Sequence, residues 1–270
     1  MGSHGGGVGG IGGLRRGVTA AVAGLAAAAA LGGCDEIQQA RLDFSATERV
    51  KITEVRISGG DGGVVVRPGP AGEVRIDRVV RYRGAEPGKT YRIEGSVLHV
   101  ETDCGQRCGV SYDIHAPAGV AVRGDNGSGD LVLTGVSAVD VEVGSGTVTV
   151  TDATGDVKVV TSSGDVRAVN VAGNLTANVS SGSVVARGLT GATTQVTTSS
   201  GDIDLSLDKP GGVQAEASSG NIELRVPTGS YRIDASADSG EVNVQVPADP
   251  AGQHHLRLHA DSGDVTVAAR

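Results

Sequence analysis

Apolar and polar residues alternate along much of the second half of this chain. Leu175, Ala177 and Val179 fall on one side, and Asn174, Thr176 and Asn178 on the other. The pattern recurs at Ile222/Leu224/Val226 against Asn221/Glu223/Arg225, and at Val242/Val244/Val246 against Glu241/Asn243/Gln245. It recurs once more at Leu256/Leu258/Ala260 against His255/Arg257/His259. Period-two alternation over five or six residues, bounded by Gly, Ser and Asp, predicts half-buried strands. Apolar residues do not recur at i, i+3 and i+4, and β-branched residues dominate, which excludes helices here.

The turn signals between these strands form a repeat. Its eight units are Gly127-Ser128-Gly129-Asp130-Leu131, Gly144-Ser145-Gly146-Thr147-Val148, Ser162-Ser163-Gly164-Asp165-Val166 and Ser180-Ser181-Gly182-Ser183-Val184. The other four are Ser199-Ser200-Gly201-Asp202-Ile203, Ser218-Ser219-Gly220-Asn221-Ile222, Asp238-Ser239-Gly240-Glu241-Val242 and Asp261-Ser262-Gly263-Asp264-Val265. The last glycine returns after 17, 18, 18, 19, 19, 20 and 23 residues. A second glycine falls roughly midway, at Gly135, Gly155, Gly173, Gly191, Gly212, Gly229 and Gly252. Each unit therefore holds two strands and two corners, and self-similarity at this period marks a stacked repeat. Glycine supplies the positive φ of the corners, and Ser and Asp can bond the turn backbone.

The fold class expected is all-β: a parallel β-helix, or β-solenoid, of two-strand coils each about 18–20 residues long. It covers residues 126–270. Coils stacked about 4.8 Å apart make eight of them roughly 38 Å long. The inward set is Val, Leu, Ile and Ala with Tyr231 as its one aromatic, which suits a thin interior. No coil can bury its apolar face alone.

Residues 50–125 show strands of less regular spacing, at 50–57, 63–67, 73–83, 91–94, 97–102, 110–115 and 120–123. Gly59-Gly60-Asp61-Gly62-Gly63, Pro68-Gly69-Pro70, Glu86-Pro87-Gly88 and Pro117-Ala118-Gly119 separate them. This segment is expected to start or cap the solenoid, because terminal coils need a protected edge.

Residues 1–33 stand apart. Arg15-Arg16 precede an apolar stretch from Gly17 to Leu31, too short for an ordinary membrane span and of signal-peptide length. It ends Leu31-Gly32-Gly33-Cys34, which resembles the bacterial lipobox. The resemblance implies cleavage before Cys34 and attachment of diacylglycerol to its thiol. Two or three acyl chains, at about 0.8 kcal/mol per buried CH₂, would hold the protein on a membrane. Residues 34–49 are polar and charged and are expected to form a tether.

Composition narrows the function. Of 270 residues 44 are Gly and none is Trp, yet the clean alternation argues for order rather than disorder. The formal charge is −8, with no basic stripe, which argues against nucleic acid as a partner and gives no attraction to anionic lipid. Cys104 and Cys108 lie in a hydrophilic loop. In an exported protein a disulfide is the default for such a pair, and closing so small a loop contributes about 2 kcal/mol in the chain-entropy model.

The lipobox, the Pro117-Ala118-Gly119-Val120 turn and the serial Ser-Gly-Asp-Val units together resemble the bacterial putative-adhesin family, a domain of unknown function built of β-strand repeats. That resemblance covers about residues 50–270. It implies a parallel β-helix on the cell surface and brings no catalytic residues with it.

Four constellations carry candidate chemistry. Asp130, Asp165, Asp202 and Asp264 follow corner glycines, as in calcium-binding β-rolls, but Thr147, Ser183 and Asn221 replace the acid in other units. A carboxylate capping its own turn is the plainer reading. His255 and His259 share a strand face but lie too far apart for one ion without a ligand from a neighbouring coil. Lys51, Lys89, Lys158 and Lys209 fall in different coils, and the pair Asp202/Asp204 is expected on one strand face, so a catalytic cluster is not indicated. The threonines from Thr147 to Thr151 resemble one rung of an ice-binding face, without repetition. The expectation is therefore a non-catalytic protein with no metal and no cofactor, exported and lipid-anchored on the outer face of the bacterial cell membrane. Its partners would be the membrane through Cys34 and an envelope glycan or protein. An accessory scaffold or sensor of an envelope-stress system, or a polysaccharide-modifying β-helix enzyme, are the alternatives.

Cys34→Ala is expected to release the mature domain into the medium or leave an uncleaved precursor. Unchanged membrane fractionation, read by immunoblot, would count against lipidation.

Overall fold

The computed structural model describes residues 39–270, and every regular element among them is a β-strand. The first seven are β1 (Ala40–Glu48), β2 (Glu54–Ser58), β3 (Val64–Gly69), β4 (Val74–Tyr82), β5 (Tyr91–Glu94), β6 (Val97–Glu101) and β7 (Cys108–Pro117). The repeat region begins with β8 (Ala121–Ser128), β9 (Leu131–Thr134), β10 (Val139–Ser145), β11 (Val148–Ala153), β12 (Val157–Ser163), β13 (Val166–Val171), β14 (Leu175–Ser181) and β15 (Val184–Leu189). It continues with β16 (Thr193–Ser200), β17 (Ile203–Leu207), β18 (Gly212–Ser219), β19 (Ile222–Val226), β20 (Tyr231–Ser239), β21 (Val242–Val244), β22 (His254–Ser262) and β23 (Val265–Ala269).

The strands form two mostly parallel sheets. One runs β1-β4-β7-β3-β9-β11-β13-β15-β17-β19-β23-β21, and the other β5-β6-β2-β8-β10-β12-β14-β16-β18-β22-β20. Consecutive even and odd strands make the coils of a β-solenoid. The register stacks inward residue on inward residue: Val139 lies beside Val157, Val157 beside Leu175, Leu175 beside Thr194 and Thr194 beside Val213. Inward residues such as Val141, Val148, Val150, Val159, Val166 and Ala177 are fully buried. At about 0.8 kcal/mol per buried CH₂, these columns of small side chains supply the apolar stabilisation that no single coil could gather.

The corners explain the glycines. Gly164, Gly182, Gly201 and Gly220 stand in one column with φ between +139° and +144°. A Cβ on any of them would fall on the carbonyl oxygen of the glycine in the coil beneath. A second left-handed column runs through Asp152, Asn170 and Gly188, at φ of 56°, 57° and 70°. There short polar side chains tolerate the geometry, and Asn170 Nδ2 donates to Asp152 Oδ1 at 2.8 Å.

At the N-terminal end the solenoid begins earlier than residue 126. β2 and β3 pair in parallel with β8 and β9 and form a coil of their own, cornered by Gly59 to Gly63 instead of a Ser-Gly unit. β6 and β7 lie beyond β2 and β3, again in parallel, and make the outermost coil of this end. β4 and β5 then cover β7 and β6 as antiparallel strands. A tether is expected over 34–49, but Ala40–Glu48 within it is a strand. β1 pairs antiparallel with β4 from Ala40 opposite Tyr82 to Glu48 opposite Val74. Leu42, Phe44 and Ala46 pack on the core, and the Arg78 guanidinium sits 4.3 Å from the Phe44 ring centre. The intervening Arg41, Asp43 and Ser45 hide this alternation in a polar average. The signal peptide expected over residues 1–33, and Cys34, lie outside the described residues.

At the C-terminal end the chain leaves its sequence order. β18 and β19 pair with β22 and β23, not with β20 and β21, which instead lie outside the last coil. The two longest intervals, 20 and 23 residues, supply the chain needed to skip one level and return. Leu256, Leu258, Val265 and Val267 thereby become fully buried, whereas Val242 and Val244 remain 43% and 38% exposed. Pro247 follows β21, and a residue without an N–H belongs at an edge. This outer coil is the C-terminal cap that the sequence did not disclose. Its open strand β20 carries Arg232, Asp234 and Asp238, charges that discourage pairing with another edge.

Gly201→Ala is expected to destabilise the fold by on the order of 3 kcal/mol, from the corner clash and the positive φ together. Gly88→Ala, where an added Cβ meets nothing within 4 Å, should change stability by less than about 0.5 kcal/mol. Denaturant unfolding of both variants measures the contrast.

Candidate functional site

The corner carboxylates cap the next coil, not their own turn. Asp130 Oδ1 accepts from Thr147 N at 2.8 Å, Asp165 Oδ1 from Ser183 N at 3.1 Å, and Asp202 Oδ1 from Asn221 N at 2.8 Å. Ser183 Oγ accepts from Asp202 N at 3.3 Å, and Asn221 Oδ1 from Asp264 N at 2.9 Å. Asp264 Oδ1 then accepts from Glu241 N at 2.8 Å. The ladder follows the spatial order of the coils, so the end coil is bonded last although it comes earlier in sequence. A short side chain with its acceptor two or three bonds from Cα spans one inter-coil step, which is why Asp, Asn and Ser all serve, the shorter Ser183 at the longest distance. These oxygens are committed to amides and do not converge on a calcium position.

The opposite end holds a buried polar group that periodicity did not single out. Asn126 occupies the inward position filled by Val143, Thr161 and Val179 in later coils. It is 2% exposed. Its Nδ2 donates to Gly62 O at 3.1 Å and Ser128 O at 2.9 Å, and its Oδ1 accepts from Thr102 Oγ1 at 2.8 Å. One amide thus ties together the corners of three successive coils. The only sequence signal is a polar residue in an apolar column. Nearby, burial pushes the Tyr112 hydroxyl up to about 12, and its oxygen lies 2.6 Å from Thr90 O.

Cys104 and Cys108 are joined in a disulfide, with Cα atoms 5.2 Å apart. The bridge closes the corner between β6 and β7, the position held elsewhere by a Ser-Gly turn. Beside it lies an open hollow of about 530 Å³ whose lining includes Gln39, Asp61, Arg81, Arg83, Asp103 and Arg107.

The carboxylates Asp202 and Asp204 do not form a pair. β17 begins at Ile203, so Asp202 belongs to the corner ladder. Asp204 sits on the outward face between Arg187 and Arg225, each at 2.9 Å. Lys158 faces Asp140 at 3.3 Å across one coil step. Such exposed pairs add little stability. The threonines Thr149 and Thr151 lie between Val132 and Arg167 and between Thr134 and Val169, so no threonine column forms.

The histidines acquire partners from the neighbouring coil. His255 Nε2 is 2.5 Å from Asp234 Oδ2 on β20, and this bond holds the Asp234 carboxyl below the usual carboxylate range. His259 Nδ1 is 2.9 Å from Ser236 Oγ, and its Nε2 is 2.9 Å from Asp261 Oδ1. The two rings do not approach one position; each belongs to its own cross-strand group.

A family model described as Toastrack DUF4097 matches residues 121–268. Solved structures similar to this chain include a putative adhesin from Bacteroides fragilis, 12% identical, covering 84% of this chain and 97% of that one with a TM-score of 0.40. A putative adhesin from Parabacteroides distasonis is 11% identical, covers 83% and 96%, and has a TM-score of 0.43. A putative cell adhesion protein from Clostridium sporogenes is 10% identical, covers 84% and 100%, and has a TM-score of 0.26. No curated protein matches the chain.

Asp202→Ala should cost about 1 kcal/mol, the usual loss for an N-cap-like acceptor, and Asp202→Asn much less because the amide oxygen still reaches Asn221 N. Equal losses for both, measured by denaturant unfolding, would show that the ladder is not what holds this corner.

Proposed function

We propose, since the chain belongs to the Toastrack family DUF4097, that it is a non-catalytic envelope-contact protein. In this reading it is held to the outer face of the bacterial membrane by a lipid on Cys34. The observation that carries the reading is the outward face of the sheet containing β8 to β22. Its side chains stand in register, one coil apart, as Asp140, Lys158, Thr176, Gln195, Gln214 and Arg257. A parallel column carries Glu142, Val160, Asn178, Thr197, Glu216 and His259. Hydrogen-bonding groups repeated about every 4.8 Å along one direction suit an extended polar partner, a glycan chain or a protein strand.

Charge adds a polarity to this surface. Residues 39–120 hold twelve Lys and Arg against eleven Asp and Glu, whereas residues 121–270 hold nine against eighteen. The repeat region thus favours neutral or basic partners and resists collapse onto an anionic bilayer. An adhesin is one protein of this kind, and the family resemblance supports it. Outward columns without Phe, Tyr or Trp favour hydrogen bonding over sugar stacking.

Proximity labelling with the intact chain on living cells tests the proposal. The expected result is biotinylation of envelope components, lost or displaced in Cys34→Ala. Labelling confined to cytoplasmic proteins would overturn it.

A further inference from the structure

In four successive repeat units the residue before the Ser-Gly corner is itself serine: Ser162, Ser180, Ser199 and Ser218. In the last two units it is aspartate, Asp238 and Asp261. The flanking pairs Ala237/Ala260 and Ser239/Ser262 are in register, so Asp238 and Asp261 are neighbours on β20 and β22. Like charges side by side on adjacent strands are destabilising. His259 lies two residues before Asp261, on the same outward face. One ligand atom each from Asp238, His259 and Asp261 lies within 4.8 Å of the others.

The imidazole is oriented for this group. Its Nδ1 is 2.9 Å from Ser236 Oγ, on the strand that also carries Asp238. Nε2 faces Asp261 Oδ1 at 2.9 Å, the distance of an N–H···O bond; with Ser236 Oγ accepting from Nδ1–H, loss of the Nε2 proton offers that lone pair to a cation seated between the ring and the carboxylate. Adjacent ligands around a tetrahedral Zn²⁺ at about 2.1 Å stand about 3.4 Å apart, between the 2.9 Å of His259 Nε2–Asp261 Oδ1 and the 4.8 Å limit of the group. Small rotations of two exposed carboxylates bring in the third ligand.

We propose that Asp238, His259 and Asp261 form a binding site for a borderline divalent transition-metal ion of the Zn²⁺ type, spanning the seam between β22 and the outermost coil. One imidazole nitrogen with two carboxylates selects this class over Ca²⁺ and Mg²⁺, which take oxygen ligands. Glu216, the register partner of His259 on β18, adds negative charge on the far side. The ion offsets the repulsion of the stacked aspartates and bonds the end coil, the one with an open edge, to the body of the solenoid. The site depends on the fold and not on the envelope-contact reading, so either can fail alone.

Isothermal titration of the purified chain with ZnCl₂ tests the site. The expected result is one saturable equivalent, weakened at least about tenfold in His259→Gln and in Asp238→Asn and unchanged in His255→Gln. Ser236→Ala, which frees the ring tautomer, should weaken it by about tenfold. CaCl₂ and MgCl₂ should not compete. Zn²⁺ should also raise the unfolding midpoint of the unchanged chain but not of His259→Gln. Circular dichroism checks that the variants fold, and Asp238→Asn, at an exposed edge, carries the test if His259→Gln does not. Titrations of His259→Gln and Asp238→Asn that match the unchanged chain, or the absence of saturable binding, would reduce the group to an ion pair and overturn the proposal.

Discussion

The distance between hydrogen-bonded coils governs this molecule. Parallel strands pair at about 4.8 Å, and here the pairing continues through the corners as well as along the strands. Gly164 N donates to Ser181 O at 2.9 Å, Gly182 N to Ser200 O at 2.8 Å, and Gly201 N to Ser219 O at 2.9 Å. With backbone stacked on backbone at a turn, no room is left for a Cβ. Glycine at the corner is therefore a consequence of the ladder, and the flexibility of glycine in the unfolded chain is its cost. The apolar interior depends on the same spacing, since small β-branched side chains in register can fill a thin space between two sheets.

Strict register also means that each side chain meets its counterpart one coil away. Where the counterparts are complementary, the structure gains a bond. The corner Asp, Asn and Ser side chains reach the next amide, and Asp204 serves two arginines from neighbouring strands. Where they are alike, the structure must absorb the repetition. Stacked valines do so by packing, whereas stacked carboxylates at Asp238 and Asp261 do not. A repeat thus amplifies both good and bad choices, and departures from its consensus are the positions where chemistry can enter.

The sequence disclosed the unit but not the order of units. Alternation located Leu175, Ala177 and Val179 on the inside, and the Ser-Gly signals marked each corner of the repeat region. Nothing in those local signals states which coil pairs with which, because every unit offers a similar edge. That is why the insertion of β22 and β23 inside β20 and β21 was hidden, with the lengthened last intervals as its one trace. The coil made by β2 and β3 was hidden for a related reason: its corner is built from paired glycines without serine. β1 escaped because Arg41, Asp43 and Glu48 dominate its average polarity, although Leu42, Phe44 and Ala46 keep the two-residue period. Of the candidate residues, the disulfide pair was expected from export and a small hydrophilic loop, and Cys104 is joined to Cys108. Asn126 and the partners of His255 and His259 were not, since each depends on contacts between coils.

The two ends meet one problem with related solutions. A stack of identical coils must finish on an unpaired edge, and an apolar edge invites further stacking by another molecule. At both ends the chain places a coil out of sequence order and turns a less regular element outward. β4 and β5 cover the N-terminal coils with antiparallel strands, and the disulfide fixes the longer corner that this arrangement needs. At the C-terminal end the more apolar coil takes the inner position. The outer one carries the charged strand β20, and Asp249 N bonds Tyr231 O at 2.7 Å to close part of its edge. Placing the charges of the last coil beside those of the coil it covers is what brings Asp234 to His255, and Asp238 to Asp261 and His259. The chemistry at this end is therefore a by-product of terminating the ladder, and it falls where the ladder has the fewest bonds to hold it.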